Sequence, residues 1–489
     1  MYKRYGLVLI CLLALLLAAC GGSTPAEPTV LPPTEGAAAP TVTQELAAAA
    51  TETPEEDGAT VGPTAEATST VEEEAETPTP EAEAIDLAAF SEPTECEVDL
   101  TGQEITMYHF GDLSGAFALV TQPLVAGLED AIEVLNADGG ICGATLKQEF
   151  ADTAGRQEEA QAIYERYAAL DPKPRLLLLY SSADMELLRD QTAEDEIPVL
   201  SAGVSIKAVY GEDGQSPGWA YGTLPLYVDQ FGLFCNWVAE NWEGEEPPKV
   251  GHLNWEGAFG RSTDTPLTRE YCAAQGVEVV GAEYFLPGSP DVTTQIQTLQ
   301  ASGANIIYTT ALASGPAQVL KDAIAIGERE NLMIAGVNWA LDTTTVALAQ
   351  QAAEGLIGPL PYLWWDDTDS PGIQLITEQW TAKGRAPDTR NVGYIQAWAA
   401  VDLYRELLTR AANEAGDLAS VDGPAIKAQL DELQYAPMGI VLLDYTDGRR
   451  TPHNARIARV TFTDGQPRLE ALTEELETPS LHPGGADAP

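Results

Sequence analysis

Basic residues are what this 489-residue chain lacks most: 25 Lys and Arg stand against 75 Asp and Glu, a net charge of -50. Nucleic-acid binding needs a basic footprint to neutralise phosphates, and this composition does not supply one. The same deficit disfavours direct adsorption to anionic lipid. Histidine is scarce too, with four residues (His109, His252, His453 and His482) dispersed along the chain. That leaves little for a metal cluster or for general-base catalysis. There is no Gly-x-Ser-x-Gly elbow and no His-Glu-x-x-His. Residues 257–263 look superficially like a phosphate loop, but Arg261 stands where the Lys belongs and the glycine spacing is wrong. Plentiful Asp and Glu leave acid–base hydrolysis as a remote alternative.

Long apolar runs are missing as well. The one candidate, 6–19, falls short of the about 20 residues that a transmembrane helix needs. It follows Lys3 and Arg4 and precedes Leu17-Ala18-Ala19-Cys20, the three regions of a secretory signal in order. Leu-Ala-Ala-Cys resembles the lipobox of bacterial lipoproteins, which implies that 1–19 is a cleaved signal and that Cys20 carries the lipid. From Cys20 to Glu95 the chain is Pro, Thr, Ala and Glu with neither Lys nor Arg. Such a segment cannot bury enough apolar surface to offset its ordering entropy, so 20–95 is expected to be a disordered acidic tether. Its root-mean-square reach is on the order of 45 to 50 Å, lengthened by repulsion among carboxylates such as Glu72-Glu73-Glu74.

Of six cysteines, Cys11 leaves with the signal and Cys20 takes lipid; Cys96, Cys142, Cys235 and Cys272 remain. An even number in an exported chain reads as two disulfides, with three pairings open. Cys96 and Cys142 flank the first strand and helix of the folded region, and Cys235 and Cys272 lie on successive helices, which favours these local pairs. No metal site is expected.

From about Gln103 short apolar runs alternate with amphipathic stretches. Residues 105–110 read as a strand, and Leu124, Leu128, Ala131, Ile132 and Leu135 recur at helical spacing within 122–136. Residues 175–180 form a continuous apolar strand of the kind buried on both faces. Strands at 197–200, 249–254, 277–280, 305–310 and 332–337 alternate with helices at 263–275, 292–302 and 316–327. The pattern predicts α/β architecture with two doubly wound parallel-sheet lobes joined by a hinge. Extended, Pro-containing stretches at 221–227 and 355–365 mark the crossovers. The expected division is 103–222 with 366–435 as lobe 1, 227–354 with 436–470 as lobe 2, and a disordered tail over 471–489.

The opening strand with Gly111-Asp112-Leu113-Ser114-Gly115, the helix end 136–143 and the polar strand 149–153 resemble the start of type I periplasmic binding proteins of the branched-chain amino acid class. Residues 197–203, 289–292 and 353–358 extend the resemblance in order along 103–470. It implies a ligand cleft between lobes where strand ends meet helix N-termini, whose N–H groups and dipole favour an anionic group. The implied contacts are Ser114 and Phe117 in the loop after the first strand, with Phe117 as an aromatic lid. Ser181 and Ser182 follow the third strand, although a helix cap explains them equally well. Val204 and Ser205 follow the next strand, Phe259 stands in the first loop of lobe 2, and Asn338 and Trp339 come later. Family members often place a carboxylate near Asn338 for the ligand's ammonium. An amide there pairs poorly with a buried cation, which directs attention to amides, organic acids or aromatic compounds, with Asp342 as the nearest carboxylate. Trp219, Trp255, Trp364 and Trp365 also fall near loops or crossovers.

The resemblance implies a monomeric substrate-binding lipoprotein of an ABC transporter, anchored by lipid to the cell membrane and facing outside the cytoplasm. It would capture a small molecule by hinge closure and present it to a permease, with no cofactor and no catalysis. The alternative is a lipid-anchored sensor or adhesin that hands its ligand to nothing.

Overall fold

The computed structural model of the protein describes residues 85–489. The expected signal, Cys20 and the tether up to residue 84 lie outside the described residues. Among the described residues no helix is long and apolar enough to cross a membrane.

Two sheets dominate. The first holds β1 (Glu104–Gly111), β2 (Thr145–Asp152), β3 (Leu177–Leu179), β4 (Val199–Ser201) and β5 (Ala220–Gly222) in the order β2-β1-β3-β4-β5. All its pairings are parallel. The second is built on β6 (Lys249–Trp255), β7 (Glu278–Phe285), β8 (Ile306–Thr309), β9 (Met333–Gly336) and β10 (Ile357–Leu360). After a small hairpin of β11 (Gln434–Tyr435) and β12 (Leu443–Asp444), the chain returns to that sheet with β13 (Asn454–Thr463), β14 (Gln466–Ala471) and β15 (Leu476–Glu477). Its order is β14-β13-β10-β9-β8-β6-β7, parallel from β10 to β7 and antiparallel where β13 joins. The two-lobed α/β fold expected from the alternation of patterns is present. Leu177, Leu178 and Leu179 are buried on both faces of β3, as their unbroken apolar run requires.

The first helix, Ala118–Ala137, begins four residues before the periodic stretch; Pro123 in its second turn has no N–H for the Leu119 carbonyl, which accepts the Asn391 side-chain amide at 3.0 Å instead. It packs against the longest helix, Val392–Ala415. Gly127 permits the contact, since a Cβ there would stand 2.8 Å from the Tyr394 carbonyl oxygen. Arg385 crosses the same seam to the buried Asp130, donating to both of its carboxylate oxygens at 2.8 and 2.7 Å.

Three expectations about boundaries are corrected. Residues 85–95, assigned to the tether, dock on the first lobe: the Ala436 N–H donates to the Phe90 carbonyl at 2.8 Å, and the Thr94 N–H donates to the fully buried Glu406 carboxylate at 3.0 Å. Residues 436–450, assigned to lobe 2, pack on lobe 1, where the Met438 N–H reaches Asp402 at 2.8 Å and the Tyr445 hydroxyl reaches the Gly222 carbonyl at 2.8 Å. Residues 471–489, assigned to a disordered tail, are packed. There β15 pairs with β13, the buried Leu481 donates its N–H to Asp229 at 2.7 Å, and His482 stacks on Tyr210 at 3.9 Å. Leu481 seats in space left by Gly232, whose Cβ would lie 2.5 Å from the Leu481 side chain.

Cys96 is bonded to Cys142 and Cys235 to Cys272, the local pairs. The second joins helix Tyr227–Asn241 to helix Pro266–Ala274 within lobe 2. Its two cysteines are 37 residues apart, so the loop-entropy model assigns it about 3 to 4 kcal/mol. The double substitution Cys235→Ser and Cys272→Ser is predicted to lower the urea-unfolding free energy by about that amount; a loss within error of zero would show that helix packing alone holds this corner.

Candidate functional site

In both sheets the parallel strands carry their carboxyl ends toward the cleft between the lobes. The chain leaves β1 for β2 on one side and then crosses to β3 on the other, so β1 and β3 flank a topological switch point. In the second sheet β6 and β8 do the same. Loops diverge at such points and leave a crevice at the carboxyl edge, where open α/β sheets bind ligands. From lobe 1 the crevice receives Asp112 and Phe117 after β1, Tyr180, Ser181 and Ser182 after β3, and Ala202 after β4. Lobe 2 contributes Tyr227, Phe259, Leu312 and Trp339, which follow β5, β6, β8 and β9. Val120, Thr121 and Leu124 on one face of the first helix complete the wall.

The sequence folds this way locally because backbone must approach backbone. A Cβ on Gly203 would lie 2.3 Å from the Ser182 nitrogen, and one on Gly260 would lie 1.7 Å from the Trp255 carbonyl oxygen. Asp112 is buried, and its carboxylate accepts the Gly115 N–H at 2.5 Å and the Phe117 N–H at 3.0 Å, which fixes the loop that carries Phe117. Phe117 then meets Trp255 and Phe259 across the cleft, edge to face, at centroid separations of 5.9 and 6.2 Å. The Tyr227 hydroxyl donates to the Ala202 carbonyl at 3.0 Å and accepts the Trp339 indole N–H at 3.0 Å, joining both lobes through one oxygen. In this closed arrangement the cleft cavity measures about 30 Å³. That is room for a water rather than a solute, since a cavity of roughly 150 Å³ is what accommodates benzene.

Polar groups free to meet a ligand are few. Ser181 caps helix Ser182–Glu194, its side chain accepting the Asp184 N–H at 3.3 Å. The Ser182 hydroxyl, by contrast, is buried without a hydrogen-bond partner at the N-terminus of that 13-residue helix. An unsatisfied buried hydroxyl is costly, and here it faces the cleft.

Of the residues expected at the site, Phe117, Ser181, Ser182, Phe259 and Trp339 are brought together, and four are not. Ser114 is exposed and donates to Asp152 at 2.7 Å. Val204 is fully buried, its carbonyl accepting the Tyr227 N–H at 3.3 Å. Ser205 caps the short helix Ile206–Tyr210 and donates to Glu186 at 2.6 Å. Asn338 sits behind the wall, with its backbone N–H on Gln230 at 3.1 Å. Asp342 does not reach the cleft either; its carboxylate accepts the N–H groups of Thr344 and Val392 at 3.1 and 3.2 Å, and burial raises its pKa. Sequence reasoning passed over Asp112, Tyr180 and Tyr227. Tyr180 ends the leucine run and Tyr227 ends the predicted crossover, so position was the available signal.

The family profile described as "Periplasmic binding protein" matches residues 104–466, so the chain belongs to the periplasmic binding protein family. Among relatives, "Leu/Ile/Val-binding protein homolog 8" of Brucella abortus (strain 2308) is 23% identical over 285 residues, covering 56% of this chain and 69% of its own. The crystal structure of a branched-chain amino acid ABC transporter protein from Thermus thermophilus with bound valine superposes with a TM-score of 0.67 at 20% identity, covering 78% of this chain and 98% of that one. A solute-binding protein from R. palustris in complex with 4-hydroxybenzoate gives a TM-score of 0.64 at 16% identity, covering 77% and 98%.

Beneath the cleft, burial and the nearby Asp112 carboxylate push the Asp184 pKa up to about 7. The unfolded chain releases this proton near 3.8. The group therefore stabilises the fold fully below that pH, and the contribution is lost as pH rises through about 7. Replacing Asp184 with Asn is predicted to flatten the dependence of unfolding free energy on pH between 4 and 7, by at most about 4 kcal/mol. Urea titrations at the two ends of that range provide the check, and an unchanged slope would show that Asp184 is ionised in the fold.

Proposed function

We propose that the protein is a solute receptor of an ABC transporter that closes its lobes on a small ligand with an apolar body and a single carboxyl or carbonyl head. The observation that carries this reading is the unpartnered Ser182 hydroxyl at a helix N-terminus, set in a cleft whose walls are otherwise apolar and aromatic. Helix N–H groups and a free hydroxyl suit a carboxylate or a neutral carbonyl. Phe117, Tyr227, Phe259 and Trp339 suit an aliphatic or aromatic body. Asp112, the charged side chain in the wall, has both carboxylate oxygens engaged by its own loop. Relatives and neighbours whose names refer to Leu/Ile/Val, valine and 4-hydroxybenzoate agree with a ligand of this class.

Binding at such a site favours the closed over the open arrangement, and a permease reading the closed surface receives the signal. Membership of a binding-protein family supports a role of capture and presentation rather than catalysis. The segment from Cys20 onward serves as the lipid-anchored tether that keeps the receptor near its membrane partner, in a monomeric form, outside the cytoplasm.

The reading is tested by thermal shift against branched-chain amino acids, short amides, aliphatic acids and benzoates. A true ligand at 100 times its dissociation constant adds about 2.7 kcal/mol of stability, and Ser182→Ala is expected to weaken it about tenfold. No stabilisation by any of these solutes would overturn the assignment. For the anchor, metabolic labelling with radioactive palmitate is predicted to mark the wild-type protein and not Cys20→Ser, and equal labelling of the two would rule out lipidation at Cys20.

A further inference from the structure

A second cavity lies on the hinge side of the cleft, within lobe 1. Its walls come from the sheet (Leu178, Leu179 and Leu200), from Leu403 on helix Val392–Ala415, and from Ile440 and Val441 ahead of β12. The crossovers roof it: Thr223 and Leu224 belong to the first and Tyr362 to the second. Apart from Tyr180, Thr223, Tyr362 and Gln396, every residue lining it is aliphatic or proline. It measures about 50 Å³. Packed protein interiors leave few voids larger than a water, and apolar ones stay dry.

Three residues, Leu124, Tyr180 and Ala202, line both this cavity and the cleft, so a partition one side chain thick separates the two. Tyr180 is the substantial part of that partition. Its hydroxyl is held by His109 Nδ1 at 2.6 Å, His109 is held in turn by Gln148 at 2.9 Å, and its ring lies where a Cβ on Gly111 would stand 2.3 Å away. One polar atom, Gln396 Nε2, is buried here without a partner and remains available to an acceptor oxygen.

We propose that this chamber is the tail compartment of the ligand site: the ligand's head binds at Ser182, and a short or branched alkyl terminus passes Tyr180 into the space beneath the hinge. The proposal rests on the cleft reading above and adds the substrate class, an aliphatic acid or acid derivative whose tail fills an apolar chamber. The chamber's volume is about a third of the roughly 150 Å³ that takes a benzene ring, so it selects an alkyl terminus over an aromatic one. Because the crossovers form its roof, a tail that fills it contacts the segments that move on closure, and tail length becomes coupled to lobe closure.

The test measures affinities of the purified protein for straight-chain carboxylates from acetate to octanoate, with isovalerate and benzoate alongside. Each methylene that enters the chamber is expected to tighten binding about fourfold until the chamber is full, after which the gain stops. Val441→Phe and Ala400→Leu fill the chamber from two different elements. In either variant that folds with an unaltered near-ultraviolet spectrum, the gain should stop at a shorter chain while the shortest acids bind as before. Affinity that does not change with chain length in the wild type, or an unchanged length profile in both variants, would overturn the tail compartment and leave the cleft reading standing. Failure of every acid, together with every amino acid and amide of the wider screen, would remove the cleft reading and the compartment together.

Discussion

One oxygen atom holds the two lobes in register. Tyr227 stands at the first turn of the helix that follows the first crossover, and its hydroxyl donates to the Ala202 carbonyl of lobe 1 while accepting the Trp339 indole N–H of lobe 2. A buried phenol needs such partners, because a hydroxyl removed from water without them costs more than a typical hydrogen bond contributes. The pairing is available only when the carboxyl ends of β4 and β9 face each other across the cleft. The aromatic contacts of Phe117 with Trp255 and Phe259 depend on the same approach.

Closure of this kind draws on close backbone contacts prepared within each lobe. Gly203 lets the loop after β4 run against the first turn of helix Ser182–Glu194, and Gly260 lets the loop after β6 fold back on Trp255. Neither requires an unusual dihedral; each requires the absence of a side chain. The loops at the cleft are therefore set before any ligand arrives, and the freedom left to the molecule lies in its crossovers. The first of these is tied to the segment leading into β13, where the Gly222 N–H meets the Arg450 carbonyl at 2.6 Å. A few extended residues absorbing a rotation between rigid lobes is the usual form of hinge motion.

Charge is kept out of the cleft with the same economy. The chain carries 75 acidic residues, yet among the described residues Asp112 is the one acidic side chain that lines the cleft. Its charge is offset by two N–H groups of its own loop. Asp342 caps one helix and receives the first N–H of another. Burial pushes the pKa of His109 down to about 4, so it stays neutral and serves as a positioning group for Tyr180. What remains for a ligand is apolar wall, helix N–H groups and the Ser182 hydroxyl.

The architecture is written in the chain's own patterning, because period-2 and period-3.6 hydrophobicity are local properties that report which face of each element is buried. The two lobes, the local disulfide pairs and most strands and helices from 105 to 337 were legible from that pattern, although β5 fell at the stretch assigned to the first crossover and helix Gln157–Ala168 went unnamed. Phe117, Ser182, Phe259 and Trp339 were named from the family resemblance, and they stand in the loops that leave the carboxyl ends of β1, β3, β6 and β9. Tertiary structure decided what depends on distant partners. Ser205 and Val204 follow a strand end as Ser182 does, but a nearby Glu186 and the Tyr227 backbone take them away from the cleft. The segments 85–95 and 471–489 have the composition of linkers, yet they are ordered by Glu406 and by the space over Gly232, residues more than 200 positions away. The chamber beneath the hinge is likewise a property of packing: leucines and alanines from six separate stretches of chain leave a gap that no local periodicity encodes.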